Sequence, residues 1–100
     1  MDTFSEQLIQ NIEKWSELFG EEFSIFANEF IKNLKIKPID ILEKQNKIIL
    51  KYNYEDPTVE IQILKDKSIH FYKKYNSGRS SLRIMKHCSV NKINKLLEEV

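Results

Sequence analysis

The stretch KIILKYNYEDPTVEIQILKDKSIHFYKKY, residues 47–75, decides the fold. Apolar side chains recur in it at every second position, which is typical of strands with one buried and one solvated face. Three such runs follow one another, and their alternating apolar members are Ile48, Leu50, Tyr52 and Tyr54, then Val59, Ile61 and Ile63, then Ile69, Phe71 and Tyr75. Glu55-Asp56-Pro57 and Lys65-Asp66-Lys67 separate the runs and indicate turns. The stretch therefore predicts three consecutive antiparallel strands.

The flanking residues extend this pattern on both sides. Asn76-Ser77-Gly78 is the clearest hairpin turn in the chain, because glycine tolerates a positive φ. A fourth strand is predicted from about Ser81 to Cys88. On the N-terminal side, residues 39–44 fit either a short strand or a helical turn. The prediction is a four-stranded antiparallel meander, with the state of residues 39–44 left open.

Before Pro38 the spacing of the apolar residues changes to steps of three and four, the period of a helix. The apolar members of this helix are Leu8, Ile12, Trp15, Phe19, Phe23, Phe26, Phe30 and Leu34. Thr3 and Glu6 fit a capping box at its start. An unbroken helix over residues 4–35 would be roughly 48 Å long, whereas a compact chain of this length has a radius of gyration of about 13 Å. Either Gly20 divides the element into two helices, or one end projects and seeks a partner.

A second helical pattern closes the chain. Ser89 is a suitable N-cap, and the apolar residues behind it share one helix face: Val90, Ile93, Leu96, Leu97 and Val100. Together the elements predict a single α+β domain over residues 1–100. It consists of an N-terminal helix or helix pair, the meander and a C-terminal helix, with the helices packed on one sheet face.

The composition is that of a globular protein, with 41% hydrophobic and 31% charged residues. One cysteine, Cys88, excludes an intramolecular disulfide and indicates a reducing compartment. The first residues lack the basic and apolar regions of a signal peptide, and no apolar run is long enough to cross a membrane. We therefore expect a cytoplasmic protein without membrane contact. Abundant Ile, Lys and Asn, which AT-rich coding favours, suggest a low-GC bacterium, its phage or another mobile element as the source.

No residue pattern in the chain is typical of catalysis or of metal binding. A metal site would have to use His70, His87 and Cys88, but no CxxC, HxxxH or HExxH spacing occurs. His87 and Cys88 are neighbours in a predicted strand and would point to opposite faces. Two isolated glycines do not form a phosphate-binding loop. We expect no enzymatic activity, no metal and no other cofactor.

Charge is distributed unevenly along the chain, although the net charge is +1. Residues 1–30 contain seven acids and one base, whereas residues 61–97 contain nine bases and one acid. Glu13, Glu17 and Glu21 are four residues apart and would form one line of like charge on a continuous helix. This acidic line is either a solvated face or a contact with positive charge, on the basic hairpin of the protein itself or on a partner.

The aromatic members of the N-terminal helix allow two interpretations. Trp15, Phe19, Phe23, Phe26 and Phe30 form one stripe. The stripe belongs to the core or, on a projecting helix, it forms the interface of a homodimer.

The basic segment alternates with aromatic residues. Tyr72 and Lys74 share one face of their predicted strand, Arg79 lies at the hairpin tip, and Arg83 and Lys86 follow. Rings that stack on bases and cations that neutralise phosphates are the usual means of binding single-stranded nucleic acid. Lysine-rich strands are also a means by which sheet edges avoid aggregation.

These patterns lead to one leading hypothesis and one alternative. The leading hypothesis is a non-enzymatic protein-binding module, such as a small inhibitor, immunity or adaptor protein, that contacts one protein partner through Glu13, Glu17 and Glu21. The alternative is a nucleic-acid-binding protein, and its binding residues would be Tyr72, Lys74, Arg79, Arg83 and Lys86. A homodimer formed through the N-terminal helix is a further possibility.

Overall fold

The computed structural model describes residues 14–52, 54–87 and 89–100, which fall into two compact units with the division between Asn33 and Leu34. The predicted capping box of Thr3 and Glu6 lies outside the described residues. No helix in the described ranges is long and apolar enough to span a membrane.

In the described part of the first unit, residues 14–33, two helical segments meet at Gly20. Residues 14–19 are helical, and helix α1 (Glu21–Lys32) follows directly. Gly20 has φ 97° and ψ 153°, a combination that essentially only glycine adopts. Its amide donates to the carbonyl of Ser16 at 3.1 Å and its carbonyl accepts from the amide of Ser24 at 3.0 Å, so the interruption is one residue long. Of the two alternatives left by the sequence, the division at Gly20 is the one found in the described residues.

The aromatic stripe of the first unit is largely buried. Trp15, Phe19, Phe23 and Phe30 are buried, and Phe26 is half-buried. The rings of Phe19 and Phe23 meet edge to face with their centroids 5.2 Å apart, although they lie on opposite sides of Gly20. Such pairs add about 0.5–1.5 kcal/mol to the burial itself. The stripe therefore belongs to the core, and a homodimer through it stays a prediction.

The second unit is built on one antiparallel sheet of five strands. They are β1 (Asp40–Lys44), β2 (Lys47–Tyr52), β3 (Thr58–Leu64), β4 (Ile69–Lys74) and β5 (Ser80–Met85), and they lie in this order across the sheet. The prediction of four strands was wrong by one. Residues 40–44 are the additional strand, because a two-residue turn at Gln45-Asn46 folds them onto β2. Helix α2 (Val90–Glu98) follows the sheet.

Two side-chain hydrogen bonds fix the segment that precedes β1. The amide of Lys35 donates to Oδ1 of Asn94 at 2.9 Å, and Asn94 is buried in α2. The hydroxyl of Tyr52 donates to the carbonyl of Ile36 at 2.7 Å. Burial, together with the neighbouring Tyr54, raises the pKa of Tyr52 far above its ordinary value, so this hydroxyl stays protonated and remains a donor.

One face of the sheet is largely buried, and the residues of the opposite face are mostly half-buried or exposed. The buried face, called the inner face, carries Ile41, Ile48, Leu50, Tyr52, Val59, Ile61, Ile63, Ile69, Phe71 and Met85. The opposite face, called the outer face, carries Lys47, Ile49, Lys51, Glu60, Gln62, His70, Tyr72, Lys74, Leu82 and Ile84. Strands β3 and β4 follow the predicted alternation of side chains between the two faces. Strand β2 departs from it at Ile49, which is buried on the outer face.

The turns before and after β4 have the same geometry but different residues at the strained position. In each, the amide of the third turn residue donates to the carbonyl of the residue before the turn: Lys67 to Leu64 at 2.8 Å and Gly78 to Tyr75 at 3.0 Å. These third residues have a positive φ, 70° at Lys67 and 95° at Gly78. This is the three-residue hairpin loop that normally requires glycine at its last position. In the first of these turns, Oδ1 of Asp66 accepts hydrogen bonds from the hydroxyl and amide of Ser68 at 2.6 and 2.9 Å. These bonds lower the pKa of Asp66 below its ordinary value.

We expect opposite effects from replacing Lys67 and Gly78, the residues with positive φ in these two turns. Lys67→Gly should raise the free energy of unfolding by up to about 1 kcal/mol, because a left-handed conformation costs a non-glycine residue roughly 1–2 kcal/mol and the entropy of glycine offsets part of it. Gly78→Ala should lower it by about 1 kcal/mol for the same reason. An added Cβ at Gly78 has nothing within 4 Å, so the backbone alone sets this effect. Urea denaturation of both variants measures the two signs; equal signs would contradict the prediction.

Candidate functional site

Strand β5 is the most exposed element of the sheet. Only Met85 of its six residues is buried. Leu82 and Ile84 are each 56% exposed. Both lie on the outer face, where Leu82 is opposite Tyr72 and Ile84 is opposite His70. We call these four residues the β5 patch. Single exposed aliphatic side chains are ordinary, but two that adjoin on one face make a candidate interaction surface.

The hydrogen bonds of the turns determine which backbone groups of β5 face away from the sheet. The amide of Tyr75 donates to the carbonyl of Arg79 at 2.8 Å, so this pair is hydrogen-bonded. In an antiparallel ladder, hydrogen-bonded and non-hydrogen-bonded pairs alternate. Counting from Arg79, the peptide groups of Ser81, Arg83 and Met85 pair with β4. Those of Ser80, Leu82 and Ile84 therefore point to the free edge.

The turn on the other side of β4 gives the same result independently. The amide of Leu64 donates to the carbonyl of Ser68 at 3.0 Å, which makes this pair hydrogen-bonded. The alternation then directs the peptide groups of His70 and Tyr72 towards β3, so their partners Ile84 and Leu82 are non-hydrogen-bonded pairs. Side chains of such pairs are closest, with Cα atoms about 4.5 Å apart. Among the described residues, no backbone hydrogen bond outside the ladder reaches residues 80–85.

Hydrogen exchange tests directly which amides of β5 bond to β4 and which point away from it. The amides of Leu82 and Ile84 should exchange with solvent at rates close to those of an unstructured chain. The amide of Arg83, which lies between them and bonds to β4, should be protected. Measurement by nuclear magnetic resonance compares three consecutive residues, so each serves as a control for the next. Protection of all three would show that something covers the edge.

The residues of the nucleic-acid alternative do not share one face. Tyr72 and Lys74 lie on the outer face, and Arg79 directly follows the turn, where it pairs with Tyr75. Arg83 is opposite Phe71 and therefore belongs to the inner face, although its side chain is exposed. Lys86 follows the end of β5, and its charge contributes to lowering the pKa of Asp66. The structure thus brings Tyr72 and Lys74 together but separates Arg83 from them. Binding of nucleic acid through these residues stays a prediction.

The acidic line is only partly described. Glu13 lies outside the described residues, and Glu17 and Glu21 are both exposed. Gly20 stands between Glu17 and Glu21, so the rule that residues four apart are neighbours on one helix does not apply to this pair. Their contact with a partner stays a prediction.

Among the described residues of the second unit, two shallow pockets are found. One of about 260 Å³ is lined in part by Lys51, Glu60 and Tyr72, and one of about 490 Å³ by Lys44, Lys47 and other residues near the first turn of the sheet. Neither is lined by a histidine, a cysteine or a pair of carboxylates. Within residues 14–52, 54–87 and 89–100, no three His, Cys, Asp or Glu side chains are grouped so that they could hold a metal ion.

Comparison with known proteins adds no relative. The sequence matches no protein-family model, and neither a curated protein nor a solved structure is significantly similar to it.

Proposed function

We propose that this protein is a non-enzymatic protein-binding module, of the kind that acts in the cytoplasm as a small inhibitor, immunity or adaptor protein on one partner. The observation that carries the proposal is the β5 patch, in which exposed Leu82 and Ile84 adjoin an open sheet edge. Fully burying one such side chain contributes about 1.5–3 kcal/mol. A partner that covers the patch would be stabilised by burial of the apolar area of Leu82 and Ile84 that is still exposed to water.

The acidic line supplies a second, electrostatic element of the proposal. Glu17 and Glu21 are exposed, and charges at the rim of an interface mainly set the encounter rate and specificity. Charge reversal at Glu13, Glu17 and Glu21 should then abolish capture of the partner and leave the fold intact.

The nucleic-acid alternative is supported by a different observation. Residues 69–86 carry five bases and no acid, and Tyr72 and Lys74 are on the outer face. Because each neutralised phosphate releases counterions, binding of this kind falls steeply with ionic strength. Binding that is flat between low and moderate salt would reject the alternative.

We expect affinity capture from the host lysate to depend on the β5 patch. The tagged protein should retain one protein partner after nuclease treatment, and the double variant Leu82→Gln, Ile84→Gln should lose it. The first unit offers a matched control, because Leu18 and Ile25 are 55% and 57% exposed. Leu18→Gln, Ile25→Gln makes the same chemical change and should keep the partner.

The controls separate the possible results. Circular dichroism and thermal unfolding establish that both double variants remain folded. Equal capture by the two variants would contradict the proposal, because the β5 patch is the observation that carries it. Capture that nuclease abolishes would favour the nucleic-acid alternative.

A further inference from the structure

We propose that the partner binds by adding an extended, acidic strand to the free edge of β5; this inference rests on the proposed function. Addition of a strand to a sheet edge is a common mode of peptide recognition, in which the main chain provides affinity and alternate side chains provide specificity. The described part of β5 offers both kinds of contact.

The main-chain contacts come from Ser80, Leu82 and Ile84. Their amides and carbonyls point away from β4, as the two turns independently establish. An added strand would pair with these three residues and extend the sheet from five strands to six. No proline and no bulge interrupts β5, and these are two common means of blocking an edge.

The side chains define the composition of the added strand. Leu82 and Ile84 lie on the outer face and would adjoin apolar residues of the partner. Arg83 lies between them on the inner face and is exposed. Arg79 and Lys86 flank the strand at its two ends. A strand that alternates apolar and acidic residues satisfies both faces, because opposite charges on neighbouring strands attract.

Charge disfavours a second copy of this chain as the occupant. The segment 69–86 contains Lys73, Lys74, Arg79, Arg83 and Lys86 and no acidic residue. Pairing β5 with β5 of a second copy would bring Arg79, Arg83 and Lys86 of the two chains close together, and like charges on neighbouring strands repel. Nucleic acid is also disfavoured, because the bases are divided between the two faces and the free main-chain groups of the edge would stay unused.

Three fluorescein-labelled synthetic peptides of about nine residues test the inference by fluorescence anisotropy. The first alternates Glu and Val, the second alternates Lys and Val, and the third has the composition of the first with all Glu preceding all Val. We expect the alternating acidic peptide to bind at least about tenfold more tightly than either control. We also expect it to protect the amides of Leu82 and Ile84 from hydrogen exchange. An oligothymidylate of about twelve nucleotides, the length that one binding site covers, should bind more weakly than the alternating acidic peptide.

Arg83→Glu provides the specificity test. Because Arg83 is exposed, the substitution reverses one charge and leaves the apolar residues of β5 unchanged. We expect the ratio of affinities for the two alternating peptides to shift towards the lysine peptide by about tenfold or more. Ser80→Pro removes one outward amide and leaves the ladder to β4 intact, so it should weaken the acidic peptide. Circular dichroism confirms that each variant is folded.

Several results would overturn strand addition. They are equal binding of the three peptides, binding without protection of Leu82 and Ile84, an unchanged preference in Arg83→Glu, or tighter binding of the oligonucleotide. If one of these occurs while capture from lysate still depends on Leu82 and Ile84, strand addition fails and the proposed function stands. If capture is also independent of both residues, the two proposals fail together.

Discussion

Replacing Ile61 by alanine is expected to lower the free energy of unfolding by about 2–5 kcal/mol, the usual range for a fully buried isoleucine. Ile61 is 0% exposed in β3, the central strand, and its neighbours across the sheet are the buried Leu50 and Phe71. The change removes methylene groups and leaves a cavity that packed neighbours on both sides cannot fill. Against a typical total stability of about 5–15 kcal/mol, this is a large fraction.

The control for this change is the same substitution at the edge of the sheet. Ile84→Ala should lower the free energy of unfolding by less than about 1 kcal/mol, because most of that side chain already lies in water. Both values follow from urea denaturation curves with unchanged slope. Equal losses at the two positions would mean that Ile84 is buried, and the β5 patch would not exist.

Gly20→Ala is expected to lower the free energy of unfolding by about 1–3 kcal/mol, because φ 97° and ψ 153° are accessible essentially to glycine alone. In a continuous helix the same substitution would raise it by about 1 kcal/mol. The sign of the change therefore distinguishes two helical segments from one. An added Cβ meets nothing within 4 Å, so the effect reflects backbone conformation rather than a clash.

Glu29→Ala is the matched control for Gly20→Ala. Glu29 is exposed within α1, and its replacement should change stability by less than about 0.5 kcal/mol. A stabilising Gly20→Ala beside a neutral Glu29→Ala would contradict the interruption at Gly20.

The part of the fold that the sequence predicted is the part where burial imposes a clear period. In β3 and β4 the buried residues alternate because they lie on the inner face, whereas in β2 Ile49 of the outer face is buried as well. β1 contains only one buried residue, Ile41, so its sequence has no such period. Its state is decided by pairing with β2, which single-sequence periodicity does not detect. The interruption at Gly20 was left open for a similar reason, because its propensity of about 1 kcal/mol permits a break without requiring it.

The candidate site was missed because the side chains of β5 that lie on the outer face are those that its own sequence suggests are buried. Leu82 and Ile84 alternate with Arg83, a pattern that by itself favours burial of the two aliphatic side chains. The three-residue turn at Asn76-Ser77-Gly78 instead places Leu82 opposite Tyr72 on the outer face. A slip of one residue would exchange the two faces of β5. Only the register, set by turn geometry, reveals that the aliphatic pair is in water.

The strict sequential order of the strands also bears on how the chain folds. Each strand pairs with the strand that precedes it in the chain, and the links between them are short. Closing a short loop costs little entropy, and a low sequence separation of contacting residues is associated with rapid folding. The sheet can therefore grow one hairpin at a time from its tight turns, without first bringing distant segments together. A β-rich unit of this topology is expected to fold faster than a sandwich of the same length, in which most strand pairs are distant in sequence.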